Sequence, residues 1–147
     1  MTKGIIVYDS WTGNTKKIAE AIASESRFEI AKVTEAPPDL RNYDILVLGT
    51  PNMHAAPSKA ISEFIDKAML PARFALFVTF GAPVWGQISS LICLNKMRNL
   101  LSKKGARCKG GFMCPGYHAK HKSYKGKPGE EEISKARKFA TKLSSGN

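Results

Sequence analysis

The sequence is short of negative charge: Asp and Glu together number 12 against 23 Lys and Arg, a formal net charge of +11 with the histidines neutral. Such a balance points to acidic partners, to nucleic acid, or to a solvated basic surface. Cysteine is scarce too. Cys93, Cys108 and Cys114 are odd in number and contain no Cys-x-x-Cys pair, which argues against a disulfide framework and against structural zinc. Small apolar thiols in a reducing compartment are the plain expectation. No stretch approaches the roughly 20 apolar residues that cross a bilayer, and the apolar run after Lys3 is too short for the core of a secretion signal. A cytoplasmic chain without membrane association is expected. The first turn lacks the lysine of a nucleoside-triphosphate loop. It also has one glycine, Gly13, where a dinucleotide fingerprint needs three.

What is present is an alternation of strands and helices. With 147 residues, 43% apolar and 24% charged, the chain fits one domain over residues 1–147 with a proper core. Gly4–Tyr8, Asp44–Thr50 and Arg73–Phe80 are continuous apolar runs, expected for strands covered on both faces. Phe28–Val33 alternates and suits a strand near an edge; Ala106–Cys114 is a glycine-interrupted fifth strand. Helical spacing places helices over about Thr15–Ser24, over a segment carrying Ile61, Phe64, Ile65 and Ala68, over Ile88–Lys103, and over Glu130–Leu143. In the third of these, Leu91, Leu94, Met97 and Leu101 form the expected buried face. Thr34–Tyr43, with Pro37 and Pro38, is too broken for a full helix.

The turn after the first strand packs three hydroxyls, a glycine and an asparagine into Ser10, Trp11, Thr12, Gly13, Asn14 and Thr15. It stands before a helix N-terminus, where unpaired N–H groups and the helix dipole favour an anion. An ordinary capped turn is the bland alternative. The pattern Ser-x-Thr-Gly-x-Thr resembles the phosphate loop of the flavodoxin family, and the stretch Tyr43–Pro51 resembles the flavodoxin strand that delivers the first ring-flanking loop. The resemblance covers nearly the whole chain. It implies an α/β fold, a three-layer doubly wound five-stranded parallel sheet in the order 2-1-3-4-5, with its crevice at the carboxyl ends of strands one and three.

That order brings the loops after strands one, three and four to one sheet edge. The implied cofactor is FMN. Ser10–Thr15 would hold its phosphate. Thr50, Pro51, Asn52, Met53 and His54 would flank the ring on one side, and Gly81, Ala82, Pro83, Trp85 and Gly86 on the other. Trp85 is the expected flat wall, although it could be a packed surface aromatic; Trp11 could cover the ribityl chain or lie on the surface. His54 reads as a polar loop residue and lacks partners for a metal site. The departure from the family is charge. Flavodoxins are typically strongly acidic, whereas these loops contain no Asp or Glu after Asp9.

Tyr117–Lys127 mixes lysines, histidines and tyrosines. It reads as a solvated loop, as a nucleic-acid contact, or as a dock for an acidic redox partner through Lys120, Lys122, Lys125 and Lys127. With no acid–base pair or nucleophile triad in view, the first expectation is a monomeric or weakly dimeric FMN electron carrier, with nucleic acid not expected as a partner. An FMN-dependent NAD(P)H:quinone-type reductase and a flavin-free binding module are the alternatives.

Overall fold

Runs free of charge become the middle of a sheet. The computed structural model of the protein describes residues 1–118 and 122–145. Along the chain follow β1 (Gly4–Tyr8), α1 (Asn14–Ser26), β2 (Glu29–Lys32), β3 (Ile45–Pro51), α2 (Lys59–Lys67), β4 (Arg73–Phe80), α3 (Val84–Lys103), β5 (Arg107–Pro115) and α4 (Glu130–Ser144). The sheet is parallel throughout, in the order β2-β1-β3-β4-β5. Successive side chains of a strand point to opposite faces, so each central strand feeds two cores. Ile6, Tyr8, Val47 and Phe77 pack with Ile18 and Ile22 of α1 and Ala136 and Ala140 of α4. Ile5, Val7, Leu48 and Leu76 pack with Ile61 and Ile65 of α2 and Met97 and Leu101 of α3. This is the doubly wound, three-layer architecture that the strand–helix alternation implies.

The register levels the carboxyl ends of the strands. Tyr8 lies opposite Gly49, Gly49 opposite Phe77, and Phe77 opposite Phe112. The loops that leave β1, β3, β4 and β5 therefore open on one edge of the sheet. Close approach sets one residue in this row: a Cβ on Gly49 would enter the Phe77 ring.

No helix joins β2 to β3, as the paired prolines imply. That connection is anchored by fully buried Leu40, whose N–H donates to the Met69 carbonyl at 2.8 Å while Met69 N–H returns to Pro38 O at 2.8 Å. Lys104 closes the far end of the fold. Its ammonium donates to the Ile65 and Ala68 carbonyls at 2.5 and 2.6 Å, capping the last turn of α2 with a cation where the helix dipole is negative.

Two details of α3 depart from the sequence reading. The helix starts at Val84 rather than Ile88, so Val84, Trp85 and Gly86 form its first turn instead of a loop. Pro83 precedes that turn, a position where the lack of an N–H costs nothing. The buried face also lies elsewhere than expected. Ser90, Cys93, Leu94, Met97 and Leu101 face inward, but Leu91 is 53% exposed. A helix apolar on several sides offers no single 3.6-residue stripe from which to choose its inner face.

Candidate functional site

At the carboxyl edge the loops enclose a cleft of about 430 Å³, within the range usual for a small-molecule site. Its first wall comes from the turn between β1 and α1. Gly13 caps α1 with φ of 94°, a left-handed conformation that glycine adopts freely. Ser10 Oγ accepts from Gly13 N–H at 3.1 Å and from Lys16 N–H at 3.3 Å, and Lys17 N–H goes to Gly13 O at 3.0 Å. Ser10 thus folds the turn from beneath rather than facing the cleft. Asn14 and Thr15 stand in the first turn of α1, where N–H groups have no acceptor within the helix. Trp11, Thr12, Asn14 and Thr15 line the cleft. The Thr15 hydroxyl, almost fully buried, pairs with the Thr79 hydroxyl at 2.8 Å and joins the loop to the end of β4.

The second wall follows β3. Pro51, Asn52, Met53 and His54 line the cleft, whereas Thr50 does not. Thr50 is buried, donates to Pro51 O at 2.8 Å and accepts from Ser58 N–H at 2.9 Å, so its hydroxyl serves the loop itself. Met53 and Ala56 exchange backbone hydrogen bonds of 2.8 and 3.1 Å around His54 and Ala55, whose φ values are 52° and 68°. Asn52 stitches this turn to α3: its amide donates to Ser89 Oγ at 2.6 Å and its oxygen accepts from Ala55 N–H at 3.1 Å.

The third wall is the end of β4 with the first turn of α3. Gly81, Ala82, Trp85 and Gly86 line the cleft, and Pro83 stands outside it. Trp85 is 59% exposed at the rim, and Trp11 is 63% exposed, its indole N–H donating to Asp9 Oδ2 at 3.3 Å.

Five lining residues lie outside the candidate set read from the sequence: Thr79, Phe80, Ser89, Tyr117 and His118. Ser89 sits one helical turn beyond Trp85, a spacing that would have found it had α3 been started correctly. Tyr117 and His118 follow β5 onto the same sheet edge, so the topology alone could have included them. Their loop closes over the neighbouring ones. Asn14 donates to Tyr117 O at 3.0 Å, Lys17 to Pro128 O at 2.6 Å, the Ser123 hydroxyl to Gly81 O, and the Tyr124 hydroxyl to Pro83 O at 3.2 Å. Gly116 permits this approach, since a Cβ there would enter Asn14.

Among the described residues none of the lining side chains is Asp, Glu, Lys or Arg. No group of three His, Cys, Asp or Glu among the described residues could hold a metal ion. Burial pushes the thiols of Cys93 and Cys114 up to about 12, so they remain protonated and inert. Of the basic-loop lysines, Lys122 and Lys125 are exposed. Lys127 is tied to Glu132 at 3.2 Å and to Glu131 at 3.7 Å, while Lys120 lies outside the described residues. No described helix is long and apolar enough to cross a membrane.

The walls suit a flat, phosphate-bearing ligand: hydroxyls and a helix N-terminus on one side, and the Trp85 indole on the wall formed by β4 and α3. Comparison with known proteins agrees in kind. The family profile of the flavodoxin domain matches residues 5–125. The chain is 33% identical over 150 residues to an uncharacterised protein of Methanocaldococcus jannaschii, covering 96% of this chain and 97% of that one. Its fold superimposes on a flavodoxin from the Archaea with a TM-score of 0.76 at 14% identity, covering 98% and 97% of the two chains. It also superimposes on a Lactobacillus acidophilus flavoprotein solved in complex with FMN, with a TM-score of 0.61 at 21% identity, covering 77% of this chain and 93% of that one.

Proposed function

The chain belongs to the flavodoxin family, and on that premise we propose that it binds FMN non-covalently in the cleft and carries electrons between other proteins. The observation that supports this most is the convergence of three loops on one uncharged cleft beside the N-terminus of α1. The flavin, when bound, supplies the redox chemistry; the protein supplies binding, orientation and electrostatics. In this reading the Thr12 hydroxyl and the first-turn N–H groups of α1 hold the phosphate as neutral donors. Trp85, with Met53 across the cleft, offers flat or polarisable surface to the ring. Asn52 and Ser89 hold the Met53 turn against α3, and the Tyr117 loop limits water at the phosphate end. A related flavoprotein, that of Lactobacillus acidophilus, was solved with FMN, which lends the choice of flavin its support. Exposed Lys122 and Lys125 suit an acidic redox partner.

The test separates phosphate from ring. Thr12→Val removes an exposed hydroxyl without touching the core. Losing a hydrogen bond to a charged group corresponds to about tenfold in affinity or more. Titrated by absorbance and fluorescence, the variant is expected to weaken FMN by that factor and to leave riboflavin, which lacks the phosphate, unchanged. Equal losses for both ligands would remove the phosphate from this loop. A chain that binds neither flavin would end the electron-carrier reading.

A further inference from the structure

Helices on this molecule show water a polar face, with one exception. α1 exposes Lys16, Lys17, Glu20 and Ser24; α2 exposes Lys59, Glu63 and Lys67; α4 exposes Glu131, Lys135, Lys138 and Lys142. α3 instead exposes Val84, Ile88, Leu91 and Ile92 by 72%, 52%, 53% and 40%. These positions recur at i, i+4, i+7 and i+8, one continuous stripe opposite the buried Cys93, Met97 and Leu101. Exposed apolar side chains scattered singly need no explanation, but a contiguous stripe marks an interaction surface. Trp85 continues the stripe to the rim of the cleft.

The helix that carries the stripe, and the loops on either side of it in the sequence, hold charge of one sign. Between Asp66 and Glu130 the sequence holds twelve Lys and Arg and no Asp or Glu. Lys96 and Arg98 flank the stripe at helical spacing and Lys103 ends the helix, all exposed. At the other end the Tyr124 hydroxyl binds Pro83 O, which brings the loop carrying Lys122 and Lys125 to the first turn of α3. An apolar strip flanked by these cations complements an apolar patch with a carboxylate rim. A second copy paired symmetrically through α3 would set Lys96 and Arg98 near their own counterparts. A lipid surface would match the cations, but it gives no reason for the stripe to begin at the cleft.

We propose that the outer face of α3, from Val84 to Ile92, docks an acidic protein that carries an apolar centre, seating it over the cleft. The proposal rests on the electron-carrier reading, for which it names the class of partner.

The test uses the full chain labelled with ¹⁵N and three synthetic helical peptides. One has a leucine face rimmed by glutamates, one a leucine face rimmed by lysines, and one a serine face rimmed by glutamates. Only the Leu/Glu peptide is expected to bind, shifting amides of residues 84–92 and releasing in high salt. Ile88→Asp with Leu91→Asp, both exposed positions, is expected to lower that affinity by about tenfold or more, the size of an interface anchor, with an unchanged circular dichroism spectrum. Lys96→Glu with Arg98→Glu is a second variant that keeps the stripe and is expected to lower it as well. Equal binding of the Leu/Lys or the Ser/Glu peptide would overturn the proposal, as would shifts elsewhere on the molecule. So would self-association through α3 in sedimentation, or stronger shifts of the same amides by phosphatidylserine vesicles. Flavin titration of the same samples keeps the two readings apart. Peptide shifts without flavin affinity would defeat the electron-carrier reading alone, and flavin affinity without peptide shifts would defeat the docking surface alone.

Discussion

Ala55 stands in a conformation that its side chain resists. With His54 it forms the middle of a tight turn, both residues at positive φ, where asparagine and glycine are usual. A non-glycine residue in the left-handed region costs roughly 1–2 kcal/mol, and the turn persists because Asn52 and the paired Met53 and Ala56 bonds hold it. Ala55→Gly is therefore expected to stabilise the chain by about 1 kcal/mol in urea unfolding. No change, or a loss, would mean the loop stores no strain. This turn could not be read from the residues. Met-His-Ala-Ala contains none of the turn formers that announce such geometry, whereas Ser-Trp-Thr-Gly-Asn-Thr announces its turn through hydroxyls and a glycine. The same contrast explains Thr50 and Ser10. Both are hydroxyl residues in the expected loops, and both spend their oxygen atoms on neighbouring N–H groups, a choice made by local geometry rather than by residue type.

The strands covered on both faces were legible almost to the residue. β4 spans Arg73–Phe80 as its apolar run implies, and β3 is shifted by one residue, because a strand covered on both faces leaves no polar alternative. α3 was the hardest, since Gly86 argues against a helix and the apolar outer stripe competes with the inner one. α4 is tied to the preceding loop by charge. Burial alone would push the Glu132 carboxyl up, but the Gly129 N–H bond at 2.8 Å and the Lys127 ammonium outweigh it and hold it below its ordinary value. The hydrogen bond to Glu132 in turn holds the Lys127 ammonium above its ordinary value. A lowered carboxyl stabilises the fold above its unfolded value and loses that contribution as pH falls through the folded one; a raised ammonium loses its own as pH rises beyond about 10. The tie is thus strongest between about pH 5 and pH 10. Glu132→Gln keeps an acceptor for Gly129 and removes the charge. Its melting temperature is expected to lie below that of the unaltered chain near neutral pH, the gap closing as acid protonates Glu132. A gap that persists in acid would assign the effect to packing.

At the scale of the whole molecule the charge is the property that separates this chain from the acidic flavodoxins it resembles. The sheet order follows from strand–helix alternation and the crossover rule. The site's position follows from that order, which is why the cleft was foreseeable while several of its walls were not. Charge acts on function by a different route, through the field at the cleft. Adding electrons to a flavin builds negative charge, which nearby carboxylates oppose and cations favour. No carboxylate lines this cleft among the described residues, and the formal net charge is +11. For a flavin bound as proposed, the second reduction potential is therefore expected to be less negative than in acidic flavodoxins, measured by spectroelectrochemical titration. The cations responsible are exposed, and mobile ions screen exposed charges beyond about 10 Å at 0.1 M salt. Raising the salt should consequently move the potential in the negative direction. A raised potential that ignores salt would trace the effect to the uncharged cleft walls, and a potential as low as that of an acidic flavodoxin would show that the basic surface does not reach the ring.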